Sequence, residues 1–261
     1  MLEEKSLKKI KVGVHLPCYL REIRPQIGKM GVAVLRKLGE KYNFSVEVPR
    51  EQTCCGQPFI NSGLPTDLPQ QTSKIFQKFD YLVSFGSSCV STLRREPIEV
   101  AVKSYELSQF LVEKMGITGI LSDFEAKIAL HNSCHSLRHL RVGTPSELNL
   151  PFFNLVEKLL GIPVELPERD ECCGFGGVYS LKEGELSYAM GLRKLEDLLR
   201  NSPEIVTGVD LSCLLHLEGI YLKEREKGNF PGKQVHFLHL AQLLYWRLIE
   251  GKRGIADDKA Q

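Results

Sequence analysis

At 261 residues, 43% hydrophobic and 25% charged, the chain has enough apolar side chains for two domains with their own cores, which excludes a small scaffold that needs disulfide staples. A formal net charge of +2 gives no field suited to nucleic acid or an anionic membrane surface. No apolar run is long enough for a membrane span, and the opening Met1-Leu-Glu-Glu-Lys-Ser-Leu-Lys-Lys lacks the apolar core of a signal peptide, so a cytoplasmic location is expected.

In chain order, Ile10 to Leu16 alternates and is rich in β-branched residues, which predicts a first strand with Cys18 just beyond its end. A helix is expected from about Gly28 to Tyr42, a strand over Phe44 to Pro49, then the turn Cys54-Cys55-Gly56. A second helix from about Leu68 to Phe79 leads to a strand at Tyr81 to Phe85 and to Cys89. A fourth strand is predicted over Glu99 to Lys103, and a helix around Leu107 to Val112. Met115 to Phe124, with Gly116 and Gly119, reads as a linker. The order then repeats: a strand at Lys127 to His131, Cys134, a helix from Phe152 to Leu160, a strand at Val164 to Leu166, and Cys172-Cys173-Gly174. A helix over Ser187 to Leu199, a strand at Ile205 to Val209 and Cys213 follow. Gln234 to Phe237 and Leu240 to Leu244 mirror Val100 to Leu111, and residues past Arg253 read as a polar tail.

Strand, cysteine and helix in alternation predict an α/β fold: two tandem Rossmann-like domains, residues 10–118 and 126–250, related by internal duplication, with 251–261 as tail. Each is expected to be a small parallel sheet flanked by helices, with the loops after its strands gathered at one edge where ligands bind.

The eight cysteines obey the same duplication. Cys18, Cys54, Cys55 and Cys89 recur as Cys134, Cys172, Cys173 and Cys213, with offsets drifting only from 116 to 124 residues. Adjacent cysteines followed by glycine do not close a relaxed disulfide with each other, because their Cα atoms are too near. Four soft ligands per half suit an iron-sulfur cluster or a structural zinc, one or two groups per chain. Gly56, Gly174, Gly176 and Gly177 either bring backbone N–H groups close to such a group or serve as turn residues.

Ionisable neighbours add candidates. His15 and His131 stand three residues before a first cysteine, where packing or a supporting hydrogen bond is the expected use. His135 and His139 share a helix face if that segment is helical, and Arg138 and Arg141 lie on the same stretch. His216, three residues after Cys213, is a candidate ligand. The second half is richer in such groups, with Asp210 against Gly86 and His216 against Thr92, so His135, Arg138 and His216 are the candidate catalytic residues. No Gly-x-Gly-x-x-Gly fingerprint follows the first strand, so no tightly bound nicotinamide or flavin is expected.

The stretches Cys54 to Gly63, His131 to Arg138, Glu171 to Gly177 and Asp210 to His216 resemble the cysteine-rich CCG domain proteins, and more narrowly the LutA/YkgE lactate-utilisation family, over about Val12 to Leu244. The resemblance implies an iron-sulfur oxidoreductase subunit, with [4Fe-4S] clusters on the eight cysteines, in a cytoplasmic three-protein system oxidising L-lactate to pyruvate. Its implied partners are a ferredoxin-like iron-sulfur protein and a third subunit. A broader relative is heterodisulfide reductase, whose doubled CCG domains carry a Cys-x-x-Cys and non-cubane clusters. Here Thr92 and His216 replace the last cysteine of that motif, leaving four cysteines per half. Action on thiols, disulfides or sulfur carriers, or a zinc-stabilised scaffold, are the alternative readings, with zinc also possible in one half only.

Overall fold

The runs of buried β-branched residues pair into two parallel sheets, described by a computed structural model for residues 8–95, 98–163, 168–232 and 234–255. In the first half β1 (Ile10–His15), β2 (Phe44–Glu47), β3 (Tyr81–Ser84) and β4 (Ser104–Glu106) lie in the order β2-β1-β3-β4. In the second, β5 (Ile128–His131), β6 (Ile205–Gly208) and β7 (His236–His239) lie in the order β5-β6-β7. The registers bring the C-terminal residues of the strands into rows: His15 opposite Ser84 opposite Glu106 in one sheet, His131 opposite Gly208 opposite His239 in the other. The repeat predicted from the cysteines is thus a repeat of structure.

Helices cover both sheets: α1 (Pro25–Tyr42), α2 (Gln57–Asn61), α3 (Leu68–Phe76), α4 (Ser87–Leu93), α5 (Ile98–Ala101) and α6 (Leu107–Gln109), then α7 (Leu155–Leu160), α8 (Val178–Lys182), α9 (Gly184–Leu198), α10 (Leu211–Glu226) and α11 (Leu240–Leu248). Helix α1 buries Ile27, Val34, Leu35 and Leu38 and ends at Asn43, which takes the left-handed conformation that asparagine tolerates. It packs on α11, and Lys37 Nζ donates to the Leu248 carbonyl at 2.5 Å. Residues of both halves, from Val12 to Leu244, belong to one hydrophobic cluster, so the halves share a core. Each fully buried leucine or valine in it contributes roughly 1.5–3 kcal/mol. Among the described residues no helix is long and apolar enough to cross a membrane.

One expected element is displaced. Residues Glu99 to Ala101 lie in the one-turn α5, and the fourth strand falls instead on Ser104–Glu106. The valine alternation suggests a strand, yet Val102 is exposed. The true strand is polar and buried because neighbours satisfy it: Ser104 Oγ donates to the Val100 carbonyl, Arg94 Nε donates to the Ser104 carbonyl, and the Glu106 carboxylate caps α6 through the N–H groups of Ser108 and Gln109. The sequence reading also gives no helix at α10, whose apolar residues do not gather into one stripe. Its buried side chains include Tyr221 and Glu224 beside Leu214, Leu217 and Ile220. The predicted strand Val164 to Leu166 lies outside the described residues, as do the last six residues of the tail. The connector from Met115 to Phe124 is packed, with the N–H groups of Gly119, Ile120 and Leu121 donating to the carbonyls of Lys158, Leu159 and Leu160.

Candidate metal centre

Parallel topology delivers the cysteines to the strand ends. Cys18 opens a π-helical turn, Tyr19–Ile23, just past β1; Cys134 opens a second, His135–His139, just past β5. The doublets precede α2 and α8, and Cys89 and Cys213 sit in the first turns of α4 and α10. Gln52 fixes the first doublet's loop to the sheet, accepting from Leu16 N at 2.7 Å and donating to the Val14 and Pro49 carbonyls.

Both doublets use their glycine in the same way. Gly56 and Gly174 have φ of +85° and +86°, and each donates its N–H to the sulfur of the first cysteine of its doublet, at 3.4 and 3.3 Å. A Cβ on Gly174 would stand 2.4 Å from the Ser187 carbonyl oxygen. The turn aims a backbone donor at sulfur and leaves no room for a side chain.

The cysteines are free thiols in two groups, one per half. Cys55 and Cys89 sulfurs are 3.2 Å apart, well beyond a disulfide bond. Hydrogen bonds from Cys18 and Cys55, with that of Gly56, hold the Cys54 thiol far below its ordinary value; Cys134, Cys173 and Gly174 do the same for Cys172. The donors move the other way: hydrogen bonding to the ionised neighbour, with burial, pushes Cys18, Cys55, Cys134 and Cys173 up. Each group therefore carries one ready thiolate and resists the next ionisation until a cation offsets the charge.

The two groups face each other. Cys18, Cys55 and Cys89 from the first half, with Cys134, Cys172, Cys173 and Cys213 from the second, line one cavity of about 390 Å³. Tyr19 and Phe175 meet edge to face across the halves, their ring centroids 6.1 Å apart. Asp210 Oδ1 accepts from both the N–H and the hydroxyl of Ser88, and its other oxygen accepts from the Ser133 hydroxyl. His239 Nδ1 accepts from Ala241 N, so its Nε2–H is the donor, shared by the carbonyls of Phe85 and Val209 at 3.0 Å each. Ser91 Oγ and His139 Nδ1 lie 2.7 Å apart across the same seam.

The remaining candidates are dispersed. His135 lines the cavity with Nδ1 3.7 Å from the Cys134 sulfur, and burial lowers its pKa. His139 stacks edge to face on His135 at 4.9 Å. Arg138 turns to the surface, paired with Glu147 at 2.9 Å and donating to the Asp170 carbonyl. His216 lies beside Phe175 and 3.4 Å from Ser187 Oγ, outside the cavity lining. The single Thr92 O–H has Gln57 Oε1 and the Ser88 carbonyl as acceptors within reach. Burial holds His15 and His131 neutral, lowering their pKa values to about 4 and about 3. Neither ring nitrogen of His131 has a hydrogen-bond partner. Sequence reasoning passed over Ser88, Ser133 and His239; only the helix motif shared by Leu107 and Leu240 hinted at the last.

Four soft sulfur donors per half, a backbone donor aimed at sulfur and a buried unpartnered imidazole fit a thiophilic metal group. The fold and the paired centres are those of a tandem cysteine-rich protein: the family model "CCG: Cysteine-rich domain" matches residues 12–94 and again 128–218, so the chain belongs to that family. Within it the chain belongs to the lactate utilization protein A group. It is 32% identical over 252 residues to lactate utilization protein A of Oceanobacillus iheyensis, covering 90% of this chain and 96% of that protein. It is 33% identical to the protein of that name from Halalkalibacterium halodurans, with 90% and 96% covered. The Bacillus subtilis protein is 30% identical, with 90% and 99% covered.

Proposed function

We propose that this chain is an iron-sulfur subunit of a cytoplasmic lactate-utilisation complex that oxidises L-lactate to pyruvate, working with a ferredoxin-like iron-sulfur subunit and a third subunit. The observation that carries it is the single cavity walled by seven cysteines from both halves, in a chain similar over nine-tenths of its length to proteins named for lactate utilisation. Cys18, Cys54, Cys55 and Cys89 would hold one cluster, and Cys134, Cys172, Cys173 and Cys213 the other. When bound, such clusters accept electrons one at a time. Oxidation of the hydroxy acid releases two electrons and two protons, so two centres on one cavity match the electron count, while the hydride chemistry itself belongs to a partner or its cofactor. The chain's own residues hold the thiolates, exclude water through Tyr19 and Phe175, and offer His135 as a proton acceptor at the cavity wall.

A second reading, action on a thiol, disulfide or sulfur carrier, is favoured by the cavity lining. Among the described residues it includes no lysine or arginine to pair with a carboxylate, and Lys182 stands in the adjoining recess with His135 and Asn61. Anaerobic purification with iron and acid-labile sulfide analysis and electron paramagnetic resonance, followed by reconstitution with the partner subunits and L-lactate, tests both. Iron, sulfide and lactate-dependent pyruvate formation support the first reading. Iron and sulfide with turnover of a disulfide and none of lactate favours the second, and zinc without iron defeats both.

A further inference from the structure

His15 and His131 occupy equivalent places: each is the last residue of the first strand of its half, three residues before a cysteine. The parallel registers pair His15 with Ser84 and His131 with Gly208. That one difference changes the imidazole's surroundings. Ser84 Oγ lies 3.1 Å from His15 Nδ1 and fixes its ring, which also packs edge-on against Phe76 at 6.1 Å, leaving only Nε2 buried without a partner. Gly208 offers no side chain, and both ring nitrogens of His131 are buried without a partner. An N–H left so is unfavourable and calls for an acceptor. Sulfurs stand close by: a ring nitrogen of His131, Cys173 Sγ and Cys213 Sγ lie within 4.8 Å of one another, the one such grouping of metal-ligating atoms among the described residues.

We propose that His131 is a positioning residue of the second centre, donating its N–H to the metal-bound sulfur of Cys173 or Cys213, and that the first centre lacks this contact, since Ser84 fixes the His15 ring through Nδ1 and among the described residues no His15 nitrogen groups with two cysteine sulfurs. A hydrogen bond to a thiolate is charge-assisted and removes electron density from the sulfur. The second centre is therefore the more easily reduced of the two, and electrons arriving in the cavity settle there. This rests on the reading that the cysteines hold iron-sulfur clusters.

The test is a redox titration followed by electron paramagnetic resonance, on whole protein purified anaerobically with 15N-labelled histidine. The wild type is expected to show two potentials and a weak histidine-nitrogen coupling on the higher one. His131→Leu should lower that potential and abolish the coupling, leaving the lower potential in place, and His131→Gln, which retains an N–H, should restore part of the shift. Ser84→Gly, which frees His15, should raise the lower potential. Unchanged potentials in His131→Leu with full iron content overturn the proposal. If His131→Leu does not fold, the labelled wild type alone decides: no histidine coupling on either cluster overturns it as well. Iron and sulfide analysis of the same samples separates the two ideas. Should the protein hold zinc without iron, the iron-sulfur reading fails, and the hydrogen bond is then sought as an exchange-protected histidine ring N–H in the diamagnetic protein, whose absence overturns it.

Discussion

The Asp210 carboxylate caps a helix that is not its own. It stands at the start of α10, yet Oδ1 accepts from the N–H of Ser88 at 3.1 Å and from its hydroxyl at 2.9 Å, in the first turn of α4 and 122 residues earlier in the chain. An anionic acceptor there satisfies an otherwise unpaired amide and opposes the positive end of the helix dipole. The two helices so joined are those that carry Cys89 and Cys213.

Replacing Asp210 with alanine is expected to lower stability by about 2 kcal/mol, the combined scale of a lost cap and a lost charge-assisted hydrogen bond. Asp210→Asn, which keeps one carbonyl oxygen, should cost less. Urea denaturation of anaerobic protein at matched metal content measures both, and equal midpoints for Asp210→Ala and the wild type would show that the cap contributes nothing.

Gly174→Ala should be far more damaging than Gly63→Ala. Both glycines have positive φ, but the added methyl at Gly174 meets the Ser187 carbonyl oxygen at 2.4 Å, while Gly63 has nothing within 4 Å. Strain alone costs about 1 kcal/mol, whereas the clash must also move the doublet. The expected result is loss of roughly half the bound metal in Gly174→Ala, from the second centre, and full metal in Gly63→Ala.

Glu106 sets a pH dependence. Burial, opposed by hydrogen bonds from Ser108 and Gln109, raises its pKa from 4.5 to about 7. A carboxyl whose folded value exceeds its unfolded one contributes its full stability below the unfolded value, and that contribution falls as pH rises through the folded value. Stability should thus decline between about pH 4.5 and pH 7 by up to roughly 3 kcal/mol from this group. Glu106→Gln should flatten the difference between denaturation midpoints at pH 5 and pH 8, and an undiminished slope in the variant would assign the effect elsewhere.

His135 and Arg138 are neighbours in sequence with different fates. His135→Ala, at the cavity wall, is expected to reduce turnover of the reconstituted complex with metal content intact. Arg138→Ala, which breaks an exposed ion pair worth about 0.5 kcal/mol, should leave turnover near wild type. The reverse ranking would return the functional role to the guanidinium.

The alternation of strand, cysteine and helix was legible because strands buried on both faces read as β-branched runs and parallel order fixes where their ends meet. The gathering of the doublets with the other cysteines of their halves was legible because each doublet follows a predicted strand and parallel order brings the loops after the strands to one edge. Ser104–Glu106 was not, since hydropathy cannot register a polar strand whose partners come from Arg94, Val100 and α6. Nor could spacing show that Ser88 meets Asp210 or that His239 bridges Phe85 and Val209, contacts that arise only when the halves close on each other.

Gly86 and Asp210 hold the same place, three residues before the last cysteine of their halves. A Cβ on Gly86 would stand 3.5 Å from Asp210 Oδ1 and 3.1 Å from Pro17 Cγ. An aspartate at both positions would press two carboxylates together, and a glycine at both would leave Ser88 without its acceptor. The repeats have become complementary, like the two sides of a hinge cast from one mould and then filed differently: a tandem of two first halves or two second halves, though identical in cysteine content, would lose the fit that closes this chain on itself.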